Sequence, residues 1–201
     1  MGDETGFRQD ASGIAAIVLG AGFGTRFGAG DKLAQGLDGR AVAHHVLRVI
    51  DPFRWGARVL VCRDGAGWAG AFADRGFQIR INDQAERGML GSLHLGAAVA
   101  AGCARVAVFL ADMPRIDPRH VARLVQLSDA APDRIVASAA GAYRGPPAII
   151  PTDRLKALPH SGEGGARSLL RDALIVQADA ATLADVDTAD DLAALHRQAG
   201  V

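Results

Sequence analysis

The chain has 201 residues, of which 49% are hydrophobic, and its 22 basic and 22 acidic side chains balance. This length and composition allow one sizeable core, so we expect a single domain. The lack of a basic block excludes a general nucleic-acid surface, and the apolar runs are too short to cross a membrane. The only cysteines, Cys62 and Cys103, lie in or beside apolar segments, which predicts free thiols in the cytoplasm rather than a disulfide framework.

Short apolar runs alternate with helical patterns along the chain. Residues 1–13 are polar and are predicted to form a disordered leader, which leaves 14–201 as one domain. The predicted strands are 14–19, 57–62, 77–81, 105–111, 134–138, 146–150 and 173–177, and the predicted helices are 41–50, 66–75, 90–101, 117–127, 162–172 and 188–199. This alternation predicts a three-layer α/β/α domain with a largely parallel sheet.

The first strand runs into a glycine-rich loop that carries two cations. Glycines recur from Gly20 to Gly30, and Arg26 and Lys32 complete the segment. Glycine backbone can bring N–H groups close to an anion, while the planar guanidinium of Arg26 can bind two oxygens and Lys32 adds a compact charge. This pattern predicts a phosphate-binding loop; the alternative is a flexible turn with two solvated cations.

Two common glycine motifs do not fit this loop. The dinucleotide fingerprint needs a third glycine where the chain has Thr25 or Phe27, depending on the register. The mononucleotide P-loop needs Gly before its lysine and Ser or Thr after it, but Lys32 stands between Asp31 and Leu33. Both motifs are therefore excluded.

Acidic side chains interrupt apolar structure at two places. Asp112 follows the apolar run 106–111, so we expect it at the carboxyl edge of the sheet, beside the glycine loop. A carboxylate next to phosphates needs a hard cation, and Mg²⁺ commonly takes one or two carboxylates plus substrate oxygens. Asp185 and Asp187 point the same way if their segment is extended. The alternatives are a turn or N-cap role for Asp112 and a helix-capping role for Asp187.

A third glycine-containing segment precedes the helix predicted at 90–101. Gly88 and Gly91 lie at its start, with Ser92 in the first turns. Free N–H groups at a helix start can bind an anion or a base edge. The alternative is an ordinary loop and helix.

Taken in chain order, these segments resemble the molybdopterin nucleotidyltransferases, the MobA-like and MocA-like enzymes that attach GMP or CMP to the molybdenum cofactor. The family's first motif, LAxGxSxRMGxxK, is matched by Leu19, Ala21, Gly22, Gly24, Arg26, Phe27, Gly28 and Lys32. Later motifs are matched by Asn82, Gly88, Met89, Ser92, Leu93 and Gly96, by LADMP at 110–114, by Gly145 and Pro146, by 162–167, and by 185–192. The resemblance spans residues 14 to about 195.

The resemblance implies a Rossmann-like nucleotide-diphospho-sugar transferase fold and Mg²⁺-dependent nucleotidyl transfer. A terminal phosphate of the acceptor would attack the α-phosphorus of an NTP, and pyrophosphate would leave. Arg26, Lys32 and Asp112 would be catalytic, and Asp112 with Asp187 or Asp185 would bind the metal. The implied nucleotide-binding residues are Leu19, Ala21, Gly22, Gly24, Arg26, Lys32, Asn82, Gly88, Ser92 and Asp112, and the implied acceptor-binding residues are Gly145, Pro146 and Arg167.

The choice of nucleotide and acceptor rests on finer features. MocA-like enzymes tend to have LAAG where MobA-like ones have LAGG, so Ala21 favours CTP, with GTP as the alternative. The chain departs from the family at Gly20, usually Ala, at Gly145, frequently His, and at Glu163, usually Asp. The expected acceptor is molybdopterin, and a recipient molybdoenzyme or its chaperone would be a further partner. The alternatives are a sugar or polyol phosphate acceptor, or a non-catalytic accessory protein that carries the nucleotide or the cofactor.

Overall fold

The computed structural model describes residues 9–22, 24–28, 30–100, 102–158 and 167–199. Its strands are β1 (Gln9–Gly20), β2 (Gly36–Leu37), β3 (Arg40–Ala41), β4 (Phe53–Cys62), β5 (Gln78–Ile81), β6 (Arg105–Leu110), β7 (Val136–Ala140), β8 (Tyr143–Pro151) and β9 (Leu174–Gln177). Its α-helices are α1 (His45–Ile50), α2 (Gly70–Ala73), α3 (Met89–Val99), α4 (Pro118–Ala130), α5 (Thr152–Lys156) and α6 (Ala189–Ala199). None of the described helices is long and apolar enough to span a bilayer.

Among the described residues, the strands form a seven-stranded sheet in the order β5-β4-β1-β6-β8-β7-β9 and a small hairpin of β2 and β3. Strand β8 runs antiparallel to both of its neighbours, and all the other pairs in the large sheet are parallel. The predicted α/β architecture with a mostly parallel mixed sheet is confirmed.

Strand β1 is buried on both faces, and its side chains alternate between two cores. Ile14, Ala16 and Val18 pack into a core shared with α1, α2, α4 and α6. Ala15, Ile17 and Leu19 pack into a second core shared with α3 and α5. A continuous apolar run is what a strand covered by helices on both faces requires, so the run 14–19 lies in a sheet that forms the middle of three layers.

Two helices begin at side-chain caps. The Asp117 carboxylate accepts a hydrogen bond from the backbone N–H of Arg119 at 2.8 Å, and Pro118 occupies the first turn of α4, as predicted. At α6, the Thr188 hydroxyl accepts from the backbone N–H of Asp191, and the Asp191 carboxylate accepts from the backbone N–H of Thr188. This reciprocal capping box fixes where α6 starts.

Several predicted boundaries were wrong. Strand β1 begins at Gln9 rather than at residue 14, because residues 9–11 pair with Phe53–Trp55, so 9–13 do not belong to a leader. The predicted helix at 41–50 opens with the 3-10 turn Val42–His44, and α5 and the β2–β3 hairpin were not predicted. The rest of the predicted leader, residues 1–8, and residues 162–166 of the predicted helix at 162–172 lie outside the described part of the chain. The remainder of that predicted helix is the 3-10 helix Arg167–Asp172.

Candidate functional site

A cavity of about 660 Å³ opens at the carboxyl ends of β1 and β6. After β1 the next strand of the large sheet is β4, on one side of β1, and after β6 the next strand is β7, on the opposite side of the sheet. The adjacent strands β1 and β6 therefore meet at the switch point of the sheet. The backbone N–H of Ala111 donates to the carbonyl oxygen of Leu19 at 3.0 Å and holds the two strand ends together. The glycine loop, which comprises Gly20 to Lys32, and Asp112 therefore share one edge, as predicted.

A charged network crosses the floor of this cavity. The Nζ of Lys32 lies 2.7 Å from Oδ2 of Asp112 and 3.2 Å from Oδ1 of Asp187, and Nη2 of Arg26 lies 2.8 Å from Oδ2 of Asp187. The Lys32 side chain is only 10% exposed, whereas that of Arg26 is 74% exposed. Lys32 is thus a buried charge held between two carboxylates, and Arg26 is an exposed cation that lines the same cavity.

One backbone contact and one helix cap place Asp187 beside Asp112. The N–H of Val186 donates to the carbonyl oxygen of Asp112 at 2.9 Å. Because Thr188 and Asp191 cap α6, Asp187 is not needed as a cap, and its own N–H donates to the Asp191 carboxylate at 3.1 Å. The Asp187 carboxylate is therefore available to the cavity.

The acidic groups suit a divalent cation. Oδ1 of Asp112 is buried and has no hydrogen-bond partner among the described residues, although a buried carboxylate oxygen normally has one. The described residues contain no group of three or more metal-ligating side chains. Two carboxylates completed by substrate oxygens is the donor set that Mg²⁺ prefers. Asp112 and Asp187 could hold such an ion together with a phosphate-containing substrate.

The protonation of the network follows from its burial and its charges. Burial alone would lower the pKa of Lys32, but the carboxylates of Asp112 and Asp187 outweigh it and raise that pKa above its usual value. Burial and the nearby negative charges of Asp187 and Asp112 raise the pKa of Asp185, which also lines the cavity. The ammonium of Lys32 therefore stays charged at neutral pH.

Two glycines of the loop have different structural roles. A Cβ placed on Gly22 would meet no atom within 4 Å, so this backbone faces open cavity and can be approached by a ligand. Gly24 has a φ of 58° in the left-handed region, and its Cα lies against the aliphatic stem of Lys32. Gly22 thus leaves open space in the cavity, and Gly24 makes a turn that lies against the stem of Lys32.

The start of α3 forms another wall of the cavity. Gly88 precedes the helix and, like Ser92, lines the cavity. Nδ2 of the buried Asn82 donates to Oγ of Ser92 at 2.8 Å, while Oδ1 of Asn82 accepts from the backbone N–H of Gln84. Asn82 is not itself a lining residue, so it orients Ser92 and leaves the hydroxyl hydrogen of Ser92 to another acceptor.

Strand β8 supplies the opposite wall. Gly145 and Pro146 line the cavity there with Tyr143 and Arg144. The hydroxyl of Tyr143 donates to the carbonyl oxygen of Pro146 at 2.7 Å, and a Cβ on Gly145 would lie 2.7 Å from that hydroxyl oxygen. The tyrosine ring thus fills the space that a side chain at position 145 would need.

The cavity brings together most of the residues singled out from the sequence. Those lining it are Leu19, Ala21, Gly22, Gly24, Arg26, Lys32, Gly88, Ser92, Asp112, Gly145, Pro146, Asp185 and Asp187. Arg167 starts a 3-10 turn, Arg167–Asp172, but its side chain lies outside the described part of the chain. Sequence reasoning missed Tyr143 and Arg144; the one signal was that Tyr143 is the single tyrosine in the chain and stands in a glycine- and proline-rich segment.

Comparisons with known proteins agree with the fold and show the family. A family model described as a MobA-like NTP transferase domain matches residues 16–182. Among solved structures, the chain is similar to a nucleotidyl transferase from Methanothermobacter, Mth528, with a TM-score of 0.78, 20% identity, and 92% of this chain and 96% of that chain covered.

Two further solved structures share the fold. Molybdopterin-guanine dinucleotide biosynthesis protein A from Archaeoglobus fulgidus has a TM-score of 0.67 and 22% identity, with 92% and 98% of the two chains covered. Rv0371c from Mycobacterium tuberculosis, in complex with manganese, has a TM-score of 0.70 and 20% identity, with the same coverage. No curated protein sequence matches the chain significantly.

Proposed function

The chain belongs to the MobA-like NTP transferase family and is a nucleotidyltransferase, and from that premise we propose that it transfers CMP from CTP to the terminal phosphate of molybdopterin. The observation that carries this proposal is the position of the Lys32, Asp112 and Asp187 network. It lies between the glycine loop and α3 on one side and β8 on the other. One cavity with two walls and a charged centre suits two ligands that react with each other.

The chemistry needs no covalent nucleophile from the protein. An oxygen of the acceptor's terminal phosphate attacks the α-phosphorus of the NTP and forms a new P–O bond. The bond from the α-phosphorus to the oxygen that bridges to the β-phosphate breaks, and its electron pair leaves with pyrophosphate. Catalysis then consists of positioning the two phosphates and stabilising the charge on the leaving group.

The residues of the network would divide this work. The exposed guanidinium of Arg26 would swing from Asp187 to the β- and γ-phosphates, and the ordered Lys32 would stabilise charge near the reacting phosphorus. Asp112 and Asp187 would hold Mg²⁺, which when bound neutralises phosphate charge and lets the two anionic substrates approach each other. The solved structure of Rv0371c with manganese supports a divalent metal for this fold.

The side chain of Ala21, at the start of the glycine loop, supports CTP as the nucleotide. The methyl group of Ala21 lies in the buried cluster with Leu19 and Leu93 and reaches the cavity. A Cβ at this position narrows the space for the base, and a pyrimidine is smaller than a purine. Asn82, through Ser92, and the N-terminus of α3 would bind the nucleotide on this side, and GTP is the competing substrate.

The acceptor would lie against β8. Gly145 and Pro146 line this wall, and Arg144 can pair with an anionic group, while Arg167 would complete it. The family frequently has a histidine at the position of Gly145, and here the Tyr143 ring fills the space that such a side chain would need. This difference favours a second candidate, transfer to a sugar or polyol phosphate. The free thiols of Cys62 and Cys103 support a cytoplasmic setting, where a molybdoenzyme or its chaperone would receive the product.

A pyrophosphate-release assay tests the proposal. The purified protein is incubated with Mg²⁺, one of CTP, GTP, ATP or UTP, and molybdopterin or a panel of sugar and polyol phosphates. We expect release with CTP and molybdopterin above all other pairs. Pyrophosphate release with GTP but not with CTP would make GTP the nucleotide substrate. Release only with a sugar or polyol phosphate would make that compound the acceptor. Nucleotide binding without pyrophosphate release in any pair would point to a non-catalytic carrier.

A further inference from the structure

The indole of Trp68 touches both ends of the glycine loop from outside the cavity. At the start of the loop, a Cβ built on Gly20 would lie 2.7 Å from Cη2 of Trp68, so the ring packs directly on this backbone. At the other end, Nε1 of Trp68 donates to Oδ2 of Asp31 at 2.9 Å. One buried side chain, only 5% exposed, therefore connects the residue that opens the loop with the residue that precedes Lys32.

Asp31 connects Trp68 to the backbone of Lys32. Its second carboxylate oxygen, Oδ1, accepts from the backbone N–H of Leu33 at 3.0 Å and caps the 3-10 turn Lys32–Ala34. The carbonyl oxygen of Asp31 accepts from the backbone N–H of Ala34 at 3.1 Å. Because Lys32 is the first residue of this turn, the orientation of the turn sets the direction in which its side chain leaves the backbone.

Trp68 is itself held by the core. Its ring meets Phe72 in an edge-to-face contact with centroids 5.8 Å apart, and its carbonyl oxygen lies 2.9 Å from Nε2 of His44. The contact between Trp68 and Asp31 therefore ties the glycine loop to a rigid part of the fold.

The loop needs such a support. Gly24, Gly28 and Gly30 all have positive φ, and glycine backbone has more freedom to lose than that of any other residue. The side chain of Lys32 is itself a flexible stem of four carbons, yet its ammonium lies 2.7 Å from the carboxylate of Asp112. A flexible loop and a flexible side chain do not reach such a position unless something else holds the backbone.

We propose that Trp68 and Asp31 are positioning residues that hold Lys32 in place for phosphate chemistry. Their effect on turnover rests on the proposed function, whereas their effect on the position of Lys32 does not. The usual Ala at position 20 of the family would collide with the indole, so Gly20 and Trp68 form a matched pair in this chain.

The chain allows a direct test, because Lys32 and the exposed Lys156 are its only lysines. The rate of reductive methylation at each lysine is measured by mass spectrometry for the wild type and for Trp68→Phe, Asp31→Asn and Trp55→Phe. Trp55 is the matched control, since it is also buried and its Nε1 donates to the carbonyl oxygen of Ile50 at 2.9 Å. In parallel, kcat and the KM for the NTP are measured for each variant.

We expect Trp68→Phe and Asp31→Asn to raise the Lys32 methylation rate several-fold relative to Lys156 and to lower kcat about tenfold with little change in KM. In a Lys32→Ala background, neither substitution should lower kcat further. Trp55→Phe should change neither readout, whatever it does to the melting temperature. Equal Lys32 methylation in Trp68→Phe and the wild type would overturn the inference. An absence of turnover in the wild type would instead count against the proposed function, because methylation needs no substrate.

Discussion

The ammonium of Lys32 lies 2.7 Å from the carboxylate of Asp112, although the two residues are 80 positions apart in the chain. One comes from the loop after β1 and the other from the end of β6, and the parallel pairing of these strands brings them together. The cation leaves the second oxygen of Asp112 without a partner among the described residues. The pair thus combines a fixed positive charge with an unused acceptor in the same cavity.

Removing either charge should abolish most of the turnover. We expect Asp112→Asn and Lys32→Ala each to lower kcat by about a hundredfold or more, because each charge acts mainly on the transition state. Steady-state pyrophosphate release measures the effect. Lys156→Ala, which removes the exposed lysine of α5, is the control and should leave kcat unchanged. Unchanged turnover in Asp112→Asn would contradict the assignment.

Replacing Asp187 and replacing the nearby Asp190 should have different effects on the Mg²⁺ concentration that turnover needs. Asp187→Asn removes a carboxylate that faces the cavity, so turnover should need a higher Mg²⁺ concentration for half-maximal rate. Asp190→Asn, in the exposed first turn of α6, should not change this requirement. Titration of EDTA-treated protein with Mg²⁺ and Mn²⁺ measures it. A loss shared equally by both variants would show that α6, rather than Asp187, is responsible.

Substitutions at Gly20 and Gly22, at the start of the glycine loop, should affect different properties: the first should lower stability, and the second should weaken NTP binding. A methyl group on Gly20 would collide with Trp68 and press on Ala111, so Gly20→Ala should lower the free energy of unfolding by about 1–3 kcal/mol. Gly22→Ala meets no atom within 4 Å and should leave stability within about 0.5 kcal/mol of the wild type, while weakening NTP binding because the methyl group points into the cavity. Urea denaturation and a thermal shift with CTP and Mg²⁺ measure the two effects. If Gly22→Ala binds CTP normally, the phosphates do not approach this backbone.

Tyr143 and Gly145 should control the acceptor and not the nucleotide. Gly145→Ala would push the Tyr143 ring from its place, so the KM for the acceptor should rise several-fold while the KM for the NTP stays constant. The double variant Gly145→Ala with Tyr143→Ala removes the collision and separates crowding from loss of the ring. Tyr143→Phe keeps the ring and removes the hydrogen bond to the carbonyl oxygen of Pro146. A rise in the KM for the NTP would place the nucleotide, not the acceptor, on this wall.

The buried His120 should make stability depend on pH. The Ser138 hydroxyl donates to the carbonyl oxygen of Pro147, so it accepts from Nε2–H of His120, and Nδ1 of the ring faces Nη2 of Arg123. Burial first, and then the charge of Arg123, lower the pKa of His120, while Asp117 opposes this weakly. The folded state therefore binds this proton less readily than the unfolded state, whose pKa is near the usual value of about 6.5.

Stability should be complete above that value and should fall as the pH drops from about 6.5 towards the lowered pKa. Urea denaturation between pH 5 and pH 7.5, a range chosen around the usual value of about 6.5, measures this slope. His120→Gln should flatten this slope only in part, since burial also lowers the pKa of His45. The exposed His196→Gln serves as the control. An unchanged slope in His120→Gln would assign the pH dependence to other groups.

Local patterns in the sequence were sufficient for the layers of the fold. The unbroken apolar run 14–19 requires cover on both faces, and Asp117 with Pro118 specifies a helix start, because both effects act within a few residues. Strand β8 was predicted too short, and its antiparallel direction was not predicted. Its length is set by pairing with β6 and β7 rather than by its own residues.

The sequence by itself determined which residues could serve a phosphate site, since glycines, cations and carboxylates are chemically suited to it wherever they fold. Only the tertiary structure decided how they combine: that Lys32 joins Asp112 to Asp187, that the segment before α6 lies against Asp112, and that Asn82 acts through Ser92. It also showed that Gly20 and Gly145 leave room for Trp68 and Tyr143. Contacts between distant segments depend on the packing of the whole sheet, and no local pattern encodes them.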